Sequence, residues 1–236
     1  MKVLLINGSP KVNGNTAFAL SQMEEVFHAS GVETETIQVG SQLLRGCIGC
    51  ASCYKTGKCV FDDLVNETAA KLPEYDGIVV GSPVYYASPN GTLLSFLDRL
   101  FYSTGKIDKR MKVGASVVVA RRGGCTAAMD VLNKYFTISG MPVASSTYWN
   151  QIHGAKPGEA GFVHAHLRCG AGVIRLIPAI VNTVPQPGSL PNIPIQIADG
   201  LAHSCAAFPW ITSASFFIKP RSFGSISGFL AATFIR

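Results

Sequence analysis

Lys2-Val3-Leu4-Leu5-Ile6-Asn7-Gly8-Ser9-Pro10-Lys11-Val12-Asn13-Gly14-Asn15-Thr16 is the stretch that decides the fold. Residues 2–7 are a nearly continuous apolar run, the pattern of a strand buried on both faces. Residues 8–16 turn polar and small. From 16 to 29 the pattern is helical, with Phe18, Leu20, Met23, Val26 and Phe27 available for a buried face. Strand, glycine-containing polar loop and helix, in that order, are half of a parallel βαβ unit. The loop's hydroxyls, amides and glycines let several backbone N–H groups point at one anion, and the helix N-terminus adds its positive end. It is not a Walker loop, because no Gly-Lys-Ser/Thr follows, and it is not the GxGxxG fingerprint. The competing reading is an ordinary helix start capped by Asn15 or Thr16. A bare cap does not need so long a run of polar and small residues, so phosphate binding is the better expectation.

The alternation continues outward from this unit. Residues 32–39 alternate apolar positions with Thr and Glu, as in an edge strand with one wet face. Residues 62–72 predict a helix with acids in its first turn, which suits the helix dipole. Residues 76–82 and 113–120 predict buried strands, 93–102 and 126–138 helices, and 142–148 a last strand. Five strands alternating with four helices imply an α/β fold with a doubly wound parallel sheet. Ligands of such sheets sit beyond the carboxyl ends of the strands, where strand order reverses.

Two more loops are expected at that end. Gly81-Ser82-Pro83-Val84-Tyr85-Tyr86-Ala87-Ser88-Pro89-Asn90-Gly91 is stiffened by two prolines and offers two adjacent aromatic faces. It suits a planar heteroaromatic ligand gripped by backbone groups at its edge and rings on its face. The alternative is a proline-punctuated turn whose tyrosines pack on the core. Arg121-Arg122-Gly123-Gly124-Cys125 closes the same side, with glycines that permit close approach and arginines that either balance an anionic ligand or stay solvated.

Cys47, Cys50, Cys53 and Cys59 form a C-x2-C-x2-C-x5-C run, with Gly46, Gly49 and Gly57 to supply turns. The spacing is near the compact ferredoxin run that ligates iron–sulfur clusters, although the last gap is longer and no proline follows Cys59. Zinc fits less well, because structural zinc usually takes two ligand pairs separated by a long insert. Redox-active or unligated thiols remain the other reading. The opening residues lack the long apolar region of a secretory signal, so a cytoplasmic, reducing setting is expected, where metal or catalytic roles outweigh disulfides. No catalytic triad is visible.

The net charge of +6 would raise nucleic acid as a partner, but its distribution does not. Residues 1–160 hold 15 Lys and Arg against 13 Asp and Glu, while the last 76 residues hold five basic residues and one acid, Asp199. No basic run interleaved with aromatics occurs, so neither nucleic acid nor, given the hydroxyls and proline within the apolar stretch 201–218, a membrane is expected.

Gly8-Ser9-Pro10-Lys11 with Gly14-Asn15-Thr16, followed by Gly81-Ser82-Pro83-Val84-Tyr85-Tyr86, resembles the NADPH-dependent FMN reductase family of flavodoxin-like proteins. The stretch 47–59 is similar, in position and spacing, to the cluster motif of its iron–sulfur flavoprotein branch. The resemblance covers roughly residues 1–158 and implies a flavodoxin-like sheet ordered 2-1-3-4-5 with FMN at the strand ends. By resemblance, Ser9, Lys11, Asn13, Gly14, Asn15 and Thr16 hold the FMN phosphate. Pro83, Val84, Tyr85 and Tyr86 contact the isoalloxazine, with Gly123 and Gly124 nearby, and Cys47, Cys50, Cys53 and Cys59 ligate a [4Fe–4S] cluster. It further implies a homodimer or tetramer, with NAD(P)H, another small molecule or a ferredoxin-like protein as electron donor or acceptor. The expected function is an FMN oxidoreductase that passes electrons through the cluster. The alternatives are an NAD(P)H-dependent FMN or quinone reductase without a cluster, and a non-enzymatic flavodoxin-like electron carrier.

The departure from the family comes after Ala160, where an amphipathic helix rich in Glu, Leu and Lys or Arg is due. Charged residues fall from 28 in residues 1–160 to six in residues 161–236, and seven of the thirteen prolines lie in this atypical tail. They interrupt every long helix there. A domain spanning 1–160 is therefore expected, followed by a tail at 161–236. The tail is either an extension that caps the sheet or joins a partner subunit, or an out-of-frame translation following a slip near codon 160. The second is the favoured reading, and it fails if neither alternative DNA frame encodes a charged amphipathic helix.

Overall fold

The computed structural model describes residues 1–145 and 149–154, and strand and helix alternate through them as expected. β1 (Lys2–Asn7) leads through the polar loop into α1 (Asn15–Ala29) and β2 (Glu33–Gln38). The cysteine segment contains a short helix, α2 (Ser52–Thr56), ahead of α3 (Leu64–Lys71). β3 (Gly77–Tyr85) turns back into a two-residue antiparallel partner, β4 (Ser88–Pro89), before α4 (Gly91–Ser103). β5 (Val113–Ala120), α5 (Cys125–Ile138) and β6 (Gln151–His153) follow.

The sheet runs β2-β1-β3-β5-β6, with all four of these pairings parallel. With the small β4 set aside, this is the expected 2-1-3-4-5 order, and β2 is the edge strand. Along β1 the pleat divides the core: Leu4 and Ile6 join one apolar cluster, Val3 and Leu5 the other. The first cluster packs Val65, Phe96, Leu100, Leu132 and Phe136 from α3, α4 and α5. The second packs Ala19, Leu20, Met23 and Phe27 from α1. Each fully buried large side chain stabilises the fold by about 1.5–3 kcal/mol.

Two expectations need correction. Of the strand expected at 142–148, residues 142–145 form no regular strand, and 146–148 lie outside the described residues. Val143 makes an isolated parallel bridge to Gly114, and among the described residues regular pairing with β5 is found at Gln151–His153. Between them the Asn150 side chain donates to the Ser116 carbonyl at 3.1 Å, so a side-chain amide takes the place of a ladder donor. Second, β3 does not end at Ser82 but continues to Tyr85, in register through Pro83↔Val119. It then reverses through Tyr86 (φ 51°) and Ala87 (φ 59°), two positive φ values in a two-residue hairpin. Neither residue is the Asn or Gly that advertises such a turn, so the hairpin was not readable in the sequence.

Among the described residues no helix is long and apolar enough to cross a membrane. The tail at 161–236, where the resemblance leads one to expect a closing helix, lies outside the described residues.

Candidate functional site

The polar loop after β1 is held from three directions. Within it, Ser9 N donates to Asn7 Oδ1 (3.0 Å) and Lys11 N to Ser9 Oγ (3.1 Å), two local turns made by short polar side chains. From β2, Gln38 accepts from Asn7 Nδ2 (2.7 Å) and donates to the Ser9 carbonyl (2.5 Å). From the β3 side, Gly8 N donates to Gly81 O (2.8 Å) and Asn90 Nδ2 donates to Gly8 O (2.7 Å). Asn90 also caps α4 by accepting from Thr92 N (3.2 Å), so one side chain ties a helix start to the loop.

Close backbone approach is part of this construction. A Cβ on Gly40 would lie 2.3 Å from both the Gly8 carbonyl oxygen and the Ser9 carbonyl carbon, and only glycine fits there. α1 begins at Gly14, which brings no side chain to cap the helix, where Asn15 or Thr16 was the competing expectation. A fifteen-residue helix therefore presents its N-terminal end to the strand-end cleft without a side-chain cap, the arrangement that suits an anion.

That cleft measures about 170 Å³ and gathers Ser9, Lys11, Gly14, Asn15 and Thr16 from the first loop with Pro83, Val84 and Tyr85 from the end of β3. Val119, Arg121 and Gly154 complete its wall. Eight of the twelve residues expected to meet FMN are thus brought together. The other four do not line it. Asn13 is exposed, and Tyr86 projects fully exposed from the hairpin tip. Gly123 is exposed, and Gly124 supports the hairpin instead: at φ 92° it starts α5, and a Cβ there would lie 2.8 Å from Ala87 Cα. Arg121 is the arginine of the third loop that reaches the cleft. Val119 and Gly154 carried no sequence signal, since an apolar strand residue and a glycine after a strand look alike everywhere.

The four clustered cysteines are free, with Cys47 and Cys50 exposed and Cys53 and Cys59 half-buried. Gly49 (φ 66°) and Gly57 (φ 73°) take the left-handed turns expected of them, and Ala51 (φ 55°) takes a third. All four cysteines line one pocket of about 20 Å³, walled by Ile48, Val60, Phe61 and Tyr102. Tyr102 packs edge-on against Tyr54, with ring centroids 5.2 Å apart. Its hydroxyl is pushed up to about 12, first by the hydrogen bond to Tyr54 and then by burial.

Behind the pocket lies a residue that sequence reasoning missed. Arg99 on α4 has a side chain with no solvent exposure. Its Nε donates to Cys59 Sγ at 3.2 Å. One terminal nitrogen donates to Arg45 O (3.2 Å) and Asp63 Oδ2 (2.7 Å), the other to Phe61 O (3.2 Å) and Asp63 Oδ1 (2.9 Å). Burial works against the guanidinium charge, and the bonds to Asp63 and Cys59 outweigh it, so the charged form is favoured. Cys59 is also pinned through its backbone: its N–H donates to Asn66 Oδ1 (2.9 Å) and its carbonyl accepts from Asn66 Nδ2 (3.0 Å). The available signal was an arginine on the buried face of an apolar helix, three residues after Phe96 and one before Leu100.

Among the described residues no three His, Cys, Asp or Glu side chains stand together as a ready metal-ligating group. The same four thiols nonetheless line one pocket, a set of soft donors of the kind a thiolate-bound group takes. The donor set fits an iron–sulfur cluster: four thiols, apolar walls and a hydrogen-bond donor on one sulfur.

A flavodoxin-like sheet with a strand-end cleft of this kind defines a class of α/β flavin-binding proteins. The chain belongs to the NADPH-dependent FMN reductase family, whose model matches residues 1–155. An iron-sulfur flavoprotein of Methanocaldococcus jannaschii is 37% identical over 145 residues, which is 61% of this chain and 75% of that protein. An iron-sulfur flavoprotein of Archaeoglobus fulgidus is 30% identical over 163 residues, 68% of this chain and 72% of that protein. In fold, the chain is similar to flavodoxin 1 from Bacillus cereus, with a TM-score of 0.52 at 18% identity, covering 74% of this chain and 98% of that one. It is also similar to RosB, crystallised with 8-demethyl-8-formylriboflavin-5'-phosphate, with a TM-score of 0.60 at 12% identity, covering 91% and 100%. The protein is a flavoprotein of the FMN reductase family.

Proposed function

We propose that this protein is an FMN oxidoreductase whose four-cysteine loop holds a [4Fe–4S] cluster. The observation that carries the reading is the single pocket lined by Cys47, Cys50, Cys53 and Cys59 and backed by the buried Arg99. It is supported by the names of the relatives, which are iron-sulfur flavoproteins over the same part of the chain. When bound, FMN supplies two-electron and one-electron chemistry and the cluster one-electron transfer.

The chain's own residues do the holding and shielding. Ser9, Lys11, Gly14, Asn15 and Thr16 surround the FMN phosphate with backbone N–H groups and the positive end of α1. Pro83, Val84 and Tyr85 border the flavin ring, with Gly124 packed against the hairpin at Ala87. Arg121 contributes positive charge to the same cleft. Electrons enter from NAD(P)H, another small molecule or a ferredoxin-like protein, and the working unit is a homodimer or tetramer.

Iron and acid-labile sulfide in anaerobically purified protein test the cluster; values near zero remove it. A second reading is then an NAD(P)H-dependent FMN or quinone reductase, favoured by the lack of a ready ligating group among the described residues. Steady-state oxidation of NADH or NADPH with a quinone, flavin or dye acceptor separates either enzyme from a non-enzymatic carrier.

A further inference from the structure

Arg99 is fully buried, and a guanidinium taken out of water is tolerable only when its donors are satisfied. It has five N–H donors, and each has an acceptor: Cys59 Sγ, Arg45 O, Phe61 O and the two oxygens of Asp63. These acceptors are not scattered. Arg45 lies two residues before the first clustered cysteine, while Phe61 and Asp63 lie two and four residues after the last. One planar fork therefore closes the base of the whole cysteine segment and touches one of its sulfurs. The Phe61 ring stacks over the same guanidinium, 5.1 Å from centroid to carbon, which fixes its plane.

The bonds to Asp63 also reach beyond the loop. Asp63 Oδ1 accepts from Val65 N and so caps α3, which makes the Arg99–Asp63 pair the joint between α3, α4 and the cysteine segment. A structural joint alone would need only Asp63 and the carbonyls. The Nε bond to Cys59 adds a donor and a positive charge at a sulfur, and hydrogen bonds to ligand sulfurs are one of the factors that set a cluster's reduction potential. Lysine is no substitute, because a single ammonium has three donors and no fork.

We propose that Arg99 is the positioning residue of the cysteine site: it holds Cys59 and both ends of the segment, and it raises the potential at which the site accepts an electron. This rests on the cluster reading given above. The physical reason for the sign is that a donor and a cation beside the sulfur stabilise the extra negative charge of the reduced site.

The test uses the full chain with Arg99→Met and Arg99→Lys. In anaerobically purified protein, a redox titration followed by electron paramagnetic resonance measures the cluster midpoint, and a parallel optical titration measures the flavin. Arg99→Met lowers the cluster midpoint by at least about 59 mV, a tenfold change for one electron, and leaves the flavin midpoint in place. Arg99→Lys recovers part of the shift. Amide hydrogen exchange on metal-free protein supplies a readout that does not depend on the cluster: exchange across residues 45–63 speeds up at least about tenfold in Arg99→Met relative to wild type, while exchange in β1 and β5 is unchanged.

An unmoved cluster midpoint in Arg99→Met overturns the tuning role, and unmoved exchange overturns the positioning role. Full restoration of both by Arg99→Lys also overturns the proposal, since charge without the fork would then suffice. If wild-type protein contains no iron, the cluster reading fails by itself, and the exchange arm still decides whether Arg99 organises the cysteines. Should Arg99→Met fail to fold, Arg99→Lys is judged by the same two measurements, with wild-type values in both counting against the proposal.

Discussion

The strand-end cleft and the cysteine pocket are built on opposite plans. Around the cleft, backbone meets backbone: Gly8 bonds Gly81, Gly40 rests against Gly8 and Ser9, and α1 starts on a glycine. Around the cysteines, exposed loop residues are gathered by one buried side chain that comes from a helix some forty residues further on. The first plan suits an anion, whose recognition by N–H groups depends on main-chain position and little on side chains. The second suits a soft group, whose ligands are side chains on a loop that has to be braced from another element. Damage to each region should therefore stay within that region, which is what the following experiments probe.

The largest effect is expected at the cysteines. On the cluster reading, Cys50→Ala removes one of four ligands that act as a unit, so iron and sulfide should be lost almost completely while FMN stays bound. Cys125→Ala, at the buried start of α5 and outside the pocket, should change neither. Equal iron in the two variants, measured on anaerobic preparations, would sink the cluster reading and leave the plain reductase. Loss of FMN in Cys50→Ala would show instead that the two regions are not separable.

A smaller but still clear effect is expected from two glycines, Gly14 lining the cleft and Gly40 packed against its first loop. Gly40→Ala pushes a methyl into the backbone of Gly8 and Ser9 and should destabilise the protein by about 1–3 kcal/mol, with weaker FMN binding as a consequence. A Cβ on Gly14 would lie 3.2 Å from Lys11 Cβ, 3.5 Å from Lys11 O and 3.7 Å from Ser9 Oγ, and the residue sits at φ −95°, which valine accepts, so the fold of Gly14→Val should survive. On the proposed site its added methyls nevertheless stand where the phosphate would approach, and FMN affinity should fall at least about tenfold, or about 1.4 kcal/mol. Flavin titration together with thermal unfolding separates the two. Full FMN occupancy of Gly14→Val after gel filtration would overturn the assigned loop.

The smallest effect is expected away from both regions and serves as a control. Glu35 on edge strand β2 pairs with Lys71 (2.8 Å) and Lys2 (3.0 Å). Its carboxyl is held down to about 2, first by the Lys71 hydrogen bond and then by Tyr75 and Lys2. A depressed carboxyl stabilises the fold above its unfolded value of 4.5 and loses that contribution as pH falls toward about 2. The pair is partly exposed, so Glu35→Gln should cost only about 0.2–1 kcal/mol at pH 7. The difference from wild type in denaturant melts should shrink below pH 4.5 and vanish near pH 2. A difference that persists at pH 2 would mean the loss is packing rather than charge.

What was legible and what was not follows the same division. The apolar runs of β1, β3 and β5, the helical periods between them and the polar loop at 8–16 were all readable, because each is a local pattern of a few residues. Eight of the twelve residues expected at FMN line the cleft for the same reason: in a parallel sheet the loops after successive strands converge without further instruction. The four cysteines were readable as a set, since their spacing is short.

Tertiary structure alone decided the rest. The type I′ turn at Tyr86 and Ala87 is imposed by β4 pairing with β3 against the preference of both residues, and it carries Tyr86 away from the cleft. The Asn150 amide finds the Ser116 carbonyl on the neighbouring strand β5, a contact between residues 34 apart in the chain. Arg99 looked like any helical arginine until the fold placed Cys59, Asp63 and two carbonyls around it. Local spacing determined which residues are available at each strand end, because the chain can travel only a few ångströms per residue. Which side chain braces them was set by contacts between segments far apart in the chain, and those exist only once the core has closed.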